Sequence, residues 1–307
     1  MKKIKKEAFD KAAKYFKEEA RPIEKAVFEF YFESGDKNNL LKELKGFQNA
    51  DGGFAGYFEP DSRLPLSTPM ATSMALRLIH ELKLDDIASE MKDKIFQYLD
   101  NSYNEERKGW FSVIKEINDF PHAPWWDFDT DTNMTVIDHY WGNPSAEIIG
   151  YIYNDEKYNG KLDKNALLKN TVDYWNVKEE YKSEHEIMCF IRLYNILPKE
   201  EKNKIEYGIK KGISGLLNMN IAEWGTYVPR PLDFIYENNG EFFGITLNQI
   251  DMHLYFVVDE MNQHGLISPN WQWGVYPESW EIAKKEWTGV KTLEFLIIAD
   301  KFNRIEK

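Results

Sequence analysis

Along most of the chain, apolar residues recur every three or four positions, the period of a helix that buries one face. The pattern predicts helices at about 5–18, 22–34, 37–47, 68–83, 86–101, 144–154, 164–177, 184–197, 200–218, 247–263 and 288–302. Strand-type alternation is almost absent, so the fold class is all-α. Long segments remain between the helices, notably 51–67, 105–143, 219–246 and 264–287. Their richness in Trp, Tyr and Phe argues for ordered loops, and ordered loops of this length commonly carry function.

The loops also echo one another. Phe54-Ala55-Gly56-Tyr57-Phe58-Glu59-Pro60-Asp61 returns 217 positions later without a gap: Trp271 replaces Phe54, and Pro277-Glu278 replaces Pro60-Asp61. Looser copies begin at Trp224-Gly225-Thr226-Tyr227 and Gly109-Trp110-Phe111. Units of helix, aromatic-glycine loop and helix bury their faces on their neighbours, which gives a solenoid or a closed ring. The first and last helices look amphipathic without an obvious polar cap, which favours the ring. The expected architecture is a single α/α toroid over residues 1–307, with the long aromatic loops at one end.

Composition narrows the function. With 43% hydrophobic residues a real core is expected, and without a run of eighteen apolar residues no transmembrane segment is. The cytoplasm is the expected location, with contact at a membrane surface left open. A net charge of −12 argues against nucleic acid, whose phosphates call for clustered Lys and Arg. The single cysteine, Cys189, lies in an apolar run and reads as core. Aromatic residues reach 15%, more than a helical core needs, and predict an aromatic-lined cleft suited to an isoprenoid or an oligosaccharide.

The segment Leu44-Lys45-Gly46-Phe47-Gln48-Asn49-Ala50-Asp51-Gly52-Gly53-Phe54 resembles the glutamine–tryptophan repeat of squalene-hopene cyclases. Gln48 and Asp51 can cap backbone groups there, and the glycines permit the turn. Ser67-Thr68-Pro69-Met70-Ala71-Thr72 is similar to the opening of an inner helix in the α/α toroid of terpenoid cyclases and protein prenyltransferases. Other segments, His122-Ala123-Pro124-Trp125-Trp126 and Trp271-Gln272-Trp273-Gly274, resemble bacterial proteins with a prenyltransferase-like repeat. The resemblance implies a toroid and leaves the reaction open, since fold does not fix function.

The densest candidate chemistry is Pro121–Asn133. Asp129-Thr130-Asp131-Thr132 is similar to the acidic motif of class II terpene cyclases, in which the second Asp protonates an alkene and aromatic walls stabilise the cation. The resemblance makes Asp131 the acid, with Asp129 and His122 beside it and Trp125 and Trp126 as walls. It departs from the motif at Thr132, where an Asp stands in the family, and the chain is shorter than the two-domain cyclases. Asp127, Asp129, Asp131 and Asn133 also alternate like calcium-loop ligands, with Asp138 twelfth but no glycine at the sixth position. Calcium or magnesium therefore stays open as a cofactor. Each acid can equally be a helix cap or a loop acceptor.

A second set, Glu59, Asp61 and Glu278, offers the paired carboxylates of glycoside hydrolysis if the ring gathers these loops at one end, the alternative being an Arg63 salt bridge that braces the loop. This is the basis of a polysaccharide hydrolase or lyase as the alternative activity, with a non-catalytic binding or scaffold protein as a third class. A third set lies on helices: Glu147, His185, Glu186, Arg192, Asp251 and His253. Glu147 and Glu186 read either as helix-start acids or as part of a binding funnel with Trp271 and Trp273. No Cys/His spacing for zinc, phosphate-cradling loop or serine elbow is present in the sequence.

Overall fold

A computed structural model of the chain describes residues 1–235 and 240–306. The fold is all-α. Eleven α-helices stand among the described residues: α1 Lys6–Glu18, α2 Pro22–Phe32, α3 Lys37–Lys45, α4 Pro69–Glu81, α5 Ser89–Ser102, α6 Gly142–Asn154, α7 Lys164–Asn176, α8 Glu184–Ile196, α9 Lys199–Leu216, α10 Leu247–His264 and α11 Pro277–Lys301. Strands β1 Phe54–Ala55 and β2 Ser67–Thr68 pair antiparallel, Phe54 opposite Thr68. No described helix is long and apolar enough to cross a membrane.

The helices follow the apolar period closely, except that α11 starts eleven residues before the expected 288. Pro277 sits in its first turn, where a fixed φ and a missing N–H cost nothing, and Glu278 faces the positive helix end. This also corrects the 217-residue echo. Residues 60–66 form a loop leading to β2, whereas their counterparts 277–283 are already helical. The letters repeat but the backbone does not, so the counterparts Asp61 and Glu278 occupy different local structures.

The chain divides into two compact units. The first comprises Met1–Gly46, Asn218–Tyr236 and Ile245–Lys307, the second Phe47–Leu217 and Glu237–Gly244. In the first, α1 packs against α2, α10 and α11, and α2 against α3 and α11. Phe16 and Phe28 stack at 4.6 Å in its core. Its terminal segments pair: Ile4 N–H donates to Arg304 O at 2.7 Å and Glu306 N–H to Ile4 O at 3.0 Å.

In the second unit the helices alternate between two layers. Helices α4, α6 and α8 lie side by side, and α7 packs on α9 behind them. The stretch Gly142–Ile152 of α6 is buried throughout. A side chain at Gly142 would collide with Phe190 and Glu186 of α8, so its absence allows the two helices to approach. Trp175 of α7 stacks on Phe190 at 3.7 Å and donates its indole N–H to Ile205 O of α9, tying the layers together.

The glutamine-containing turn works as capping chemistry predicts. Gln48 Nε2 donates to Gly52 O at 3.0 Å and to Met91 O at 3.1 Å, and Asp51 Oδ1 accepts from Gly53 N and Ser67 Oγ. Gly52 has φ of 93°, a region that disfavours side chains, and a Cβ there would strike Lys94 O. The turn delivers Phe54, fully buried, to β1, where its N–H donates to Thr72 Oγ1 of α4. Beyond β1 the chain enters the loop that carries Glu59.

Candidate active site

Glu59 follows a single 3-10 turn, Gly56–Phe58. Its carboxylate folds back onto the next residues: Asp61 N–H donates to Glu59 Oε2 at 3.0 Å. The loop is then clamped along a second segment. Arg63 N–H donates to Pro121 O at 2.9 Å, Ala123 N–H to Asp61 O at 2.9 Å, and Ser62 bridges His122. Pro124 opens a 3-10 turn, Pro124–Trp126, whose last indole donates from Nε1 to Glu59 Oε2 at 3.2 Å. Two loops far apart in sequence thus converge on one carboxyl group. Phe58 joins Phe47 and Phe54 in a ring cluster, at 4.9 and 5.8 Å, on the chain segment leading into the site.

Burial decides the electrostatics. Glu59 is 8% exposed and Asp61 3%. Loss of hydration drives the Glu59 carboxyl well above the usual carboxylate range, and the neighbouring Asp61 charge pushes it further. The donors Asp61 N–H and Trp126 Nε1–H, and the more distant Arg63 charge, oppose the shift without cancelling it. Arg63 donates from Nη2 to Pro60 O, a backbone carbonyl of the same loop. The result is two buried carboxyl groups side by side, with Glu59 biased toward its protonated form. His122, buried, sits at the rim with Nδ1 on Phe120 O at 2.6 Å and Nε2 on Asp127 Oδ1 at 2.8 Å.

Compared with known proteins, the chain matches no family model, no curated protein and no solved structure. The reading of the site therefore rests on its geometry.

The remaining candidates fall elsewhere. Asp129 and Asp131 lie on an exposed turn closed by the Asp129–Met134 bridge. Asp129 accepts from Asp131 N–H at 2.8 Å and Thr132 Oγ1 at 3.0 Å, and these bonds hold it below the usual carboxylate range. The calcium-loop alternation does not converge either. Asp138 turns inward, accepting from Ser112 N, Thr135 N and Thr135 Oγ1. Among the described residues no group of three or more His, Cys, Asp or Glu is arranged to hold a metal ion. Glu278 belongs to the first unit and is exposed in the first turn of α11.

Glu147 and Glu186 are internal anchors. Glu147, fully buried in α6, accepts two 2.8 Å bonds from Arg77, one of 3.2 Å from Arg192 and one from Tyr151 OH. Burial alone would raise its pKa, but the two guanidinium groups and these bonds hold it below the usual range. Beside it, burial pushes the Cys189 thiol up to about 12, in keeping with a core residue. Glu186 accepts from Gly142 N at 2.9 Å and Tyr174 OH at 2.6 Å and pairs with Lys178 at 2.9 Å. His185 is half-exposed beside Glu184. Trp125 is half-buried, Trp126 and Trp273 are buried, and Trp271 is half-buried in the first unit.

A cavity of about 230 Å³ in the second unit is lined by residues of α4, α5 and α6 and the loops beside them, among them His80, Asp85, Lys92, Phe96, Tyr151 and Asp155. None of Glu59, Asp61, His122 or Trp126 lines it. Lys92 bridges Asp85 and Asp155 there at 2.6 Å each, so its charges are internally paired. The size of that cavity is a weaker guide to chemistry than the buried carboxyl pair at Glu59 and Asp61.

Proposed function

We propose that the second unit carries a general-acid centre with Glu59 as the proton donor, and that the protein is terpenoid-cyclase-like and acts on an isoprenoid alkene. The observation that carries this reading is the buried Glu59–Asp61 pair, with Glu59 Oε2 accepting from Trp126 Nε1–H and Asp61 N–H. Protonation of an alkene needs an undissociated acid in a dry, aromatic setting, and burial, a raised pKa and the Trp126 and Phe58 rings support Glu59 in that role. Its proton passes to an alkene carbon, leaving a carboxylate beside the new cation. The indole and phenyl rings of Trp126 and Phe58 stabilise that cation by their faces. Loss of a substrate proton to the carboxylate restores the acid. Asp131, on a solvated turn, lacks the desolvation this step requires.

The proposed frame is a ring of helix pairs. Two features support it: the α4–α6–α8 layer backed by α7 and α9, and the pairing of Ile4 with Ile305 in the first unit. A second reading draws on the same residues. One carboxyl held protonated beside another is also the acid–base pair of a glycoside hydrolase. The near-complete burial of both groups favours the alkene over a solvated glycan chain, which needs an open groove.

The test is incubation of the protein with squalene and with shorter linear polyprenols in D₂O, followed by mass analysis. The reading expects a cyclised product carrying one deuterium, lost in Glu59→Gln and retained in Asp131→Ala. Product formation that survives Glu59→Gln, or hydrolysis of oligosaccharides with no turnover of any polyene, contradicts it.

A further inference from the structure

The 230 Å³ cavity of the second unit is separate from the Glu59 centre, and its lining has a chemistry of its own. A single water needs only roughly 10–15 Å³ of such space, so this volume takes a ligand of several heavy atoms. The buried part of the lining is apolar: Leu76, Ile79, Phe96 and Tyr151. The rest is dominated by acids. Asp85, Asp86, Asp93, Asp155 and Glu156 line the cavity, against two lysines, Lys92 and Lys157. Lys92 takes up Asp85 and Asp155. Asp86, Asp93 and Glu156 are exposed and make no ion pair among the described residues.

The backbone adds to this field. Ile79 and His80 belong to the last turn of α4, and Asn154 is the last residue of α6. Two helix C-terminal ends, whose outward carbonyl groups favour cations, therefore border the cavity, against one helix start at Ser89 of α5. Lys92 shows how this setting treats an amine. Burial works to lower its pKa, yet Asp155 and Asp85, each 2.6 Å from the ammonium nitrogen, raise it above the usual lysine value.

The spread of the acids separates one class of cation from another. Among the described residues no three acids are arranged to hold a metal ion, so the carboxylates do not focus on one point. A hard cation needs several oxygen ligands converging on it, and an apolar wall gives it none. Separated carboxylates beside buried aliphatic and aromatic side chains match a flexible ligand in which ammonium groups alternate with methylene segments. We propose that this cavity binds a linear aliphatic diamine or polyamine, its methylene chain along Leu76, Ile79 and Phe96 and its ammonium groups at Asp86, Asp93 and Glu156.

The test is calorimetric titration of the full-length protein with putrescine, cadaverine and spermidine at about 0.15 M salt, with n-butylamine, Mg²⁺ and Ca²⁺ in parallel. Saturable binding of a diamine or of spermidine is expected, and weaker binding of the monoamine. Asp86→Asn, Asp93→Asn and Glu156→Gln should each weaken it roughly threefold to fivefold, the range for a partly exposed ion pair. Asp131→Asn, an exposed acid that does not line the cavity, should leave affinity unchanged. Ser89→Trp, which places a large ring at the lining, should abolish binding; should it fail to fold, the carboxylate variants still decide. No saturable binding of any diamine or triamine overturns the proposal. So does a folded triple carboxylate variant with unchanged affinity, a loss in Asp131→Asn equal to that in the cavity variants, or metal binding at these carboxylates in place of the amine.

Discussion

Two buried carboxyl groups in the same unit, Glu147 and Glu59, meet opposite fates. Both lose their hydration. Glu147 gains two guanidinium partners, so its charge is more than repaid, and it joins α4, α6 and α8. Glu59 gains two neutral N–H donors and an acidic neighbour, so its pKa is raised and its neutral form favoured. Burial sets the size of the electrostatic problem; the nearest charge decides how it is resolved. The first outcome builds a structural hub. The second favours an undissociated carboxyl group at a cost in stability, a pattern typical of catalytic groups.

The sharpest way to break the comparison is to remove the hub. Glu147→Gln leaves Arg77 and Arg192 without their counter-charge, and a loss of about 3–5 kcal/mol is expected by denaturant unfolding. An equal loss in Glu59→Gln would erase the distinction between the two groups. The account instead expects Glu59→Gln to stabilise the fold, because the amide keeps both hydrogen bonds and cannot ionise.

The two groups also give opposite pH slopes. Glu59 has a folded pKa above its unfolded one, so stability declines as pH rises from the ordinary carboxylate range through the raised value. Glu147 has a depressed folded pKa, so its contribution is present at neutral pH and is lost as pH falls below the ordinary range. Melting temperatures across pH should therefore show the advantage of Glu59→Gln growing toward alkaline pH and vanishing in acid.

Smaller effects delimit the comparison. Asp51→Ala removes the acceptor for Gly53 N–H and Ser67 Oγ, and about 1 kcal/mol of destabilisation is expected. Asp131→Ala, on the exposed turn, should change stability by less than about 0.5 kcal/mol. A large loss at Asp131 would mean that the turn supports structure beyond its own hydrogen bonds.

Helix positions were legible because each buried face repeats at the helical period. The start of α11 was not, since Pro277-Glu278-Ser279-Trp280 reads equally as loop until its packing is known. Gln48 and Asp51 were interpretable as caps from local spacing alone. Glu59, Asp61, His122 and Trp126 could be singled out by residue type, but their convergence depends on residues 59–63 lying along 121–126, a pairing of sequence-distant loops. The role of Glu147 was hidden for the same reason: Arg77 and Arg192 lie far away in sequence.

The most direct measurement of the central claim is the infrared difference spectrum of wild-type protein against Glu59→Gln at neutral pH. The account predicts a protonated-carboxyl C=O band in the wild type that shifts in D₂O and is absent from the variant. A spectrum with only ionised-carboxylate bands at Glu59 would contradict it, and with it the assignment of Glu59 as the acid.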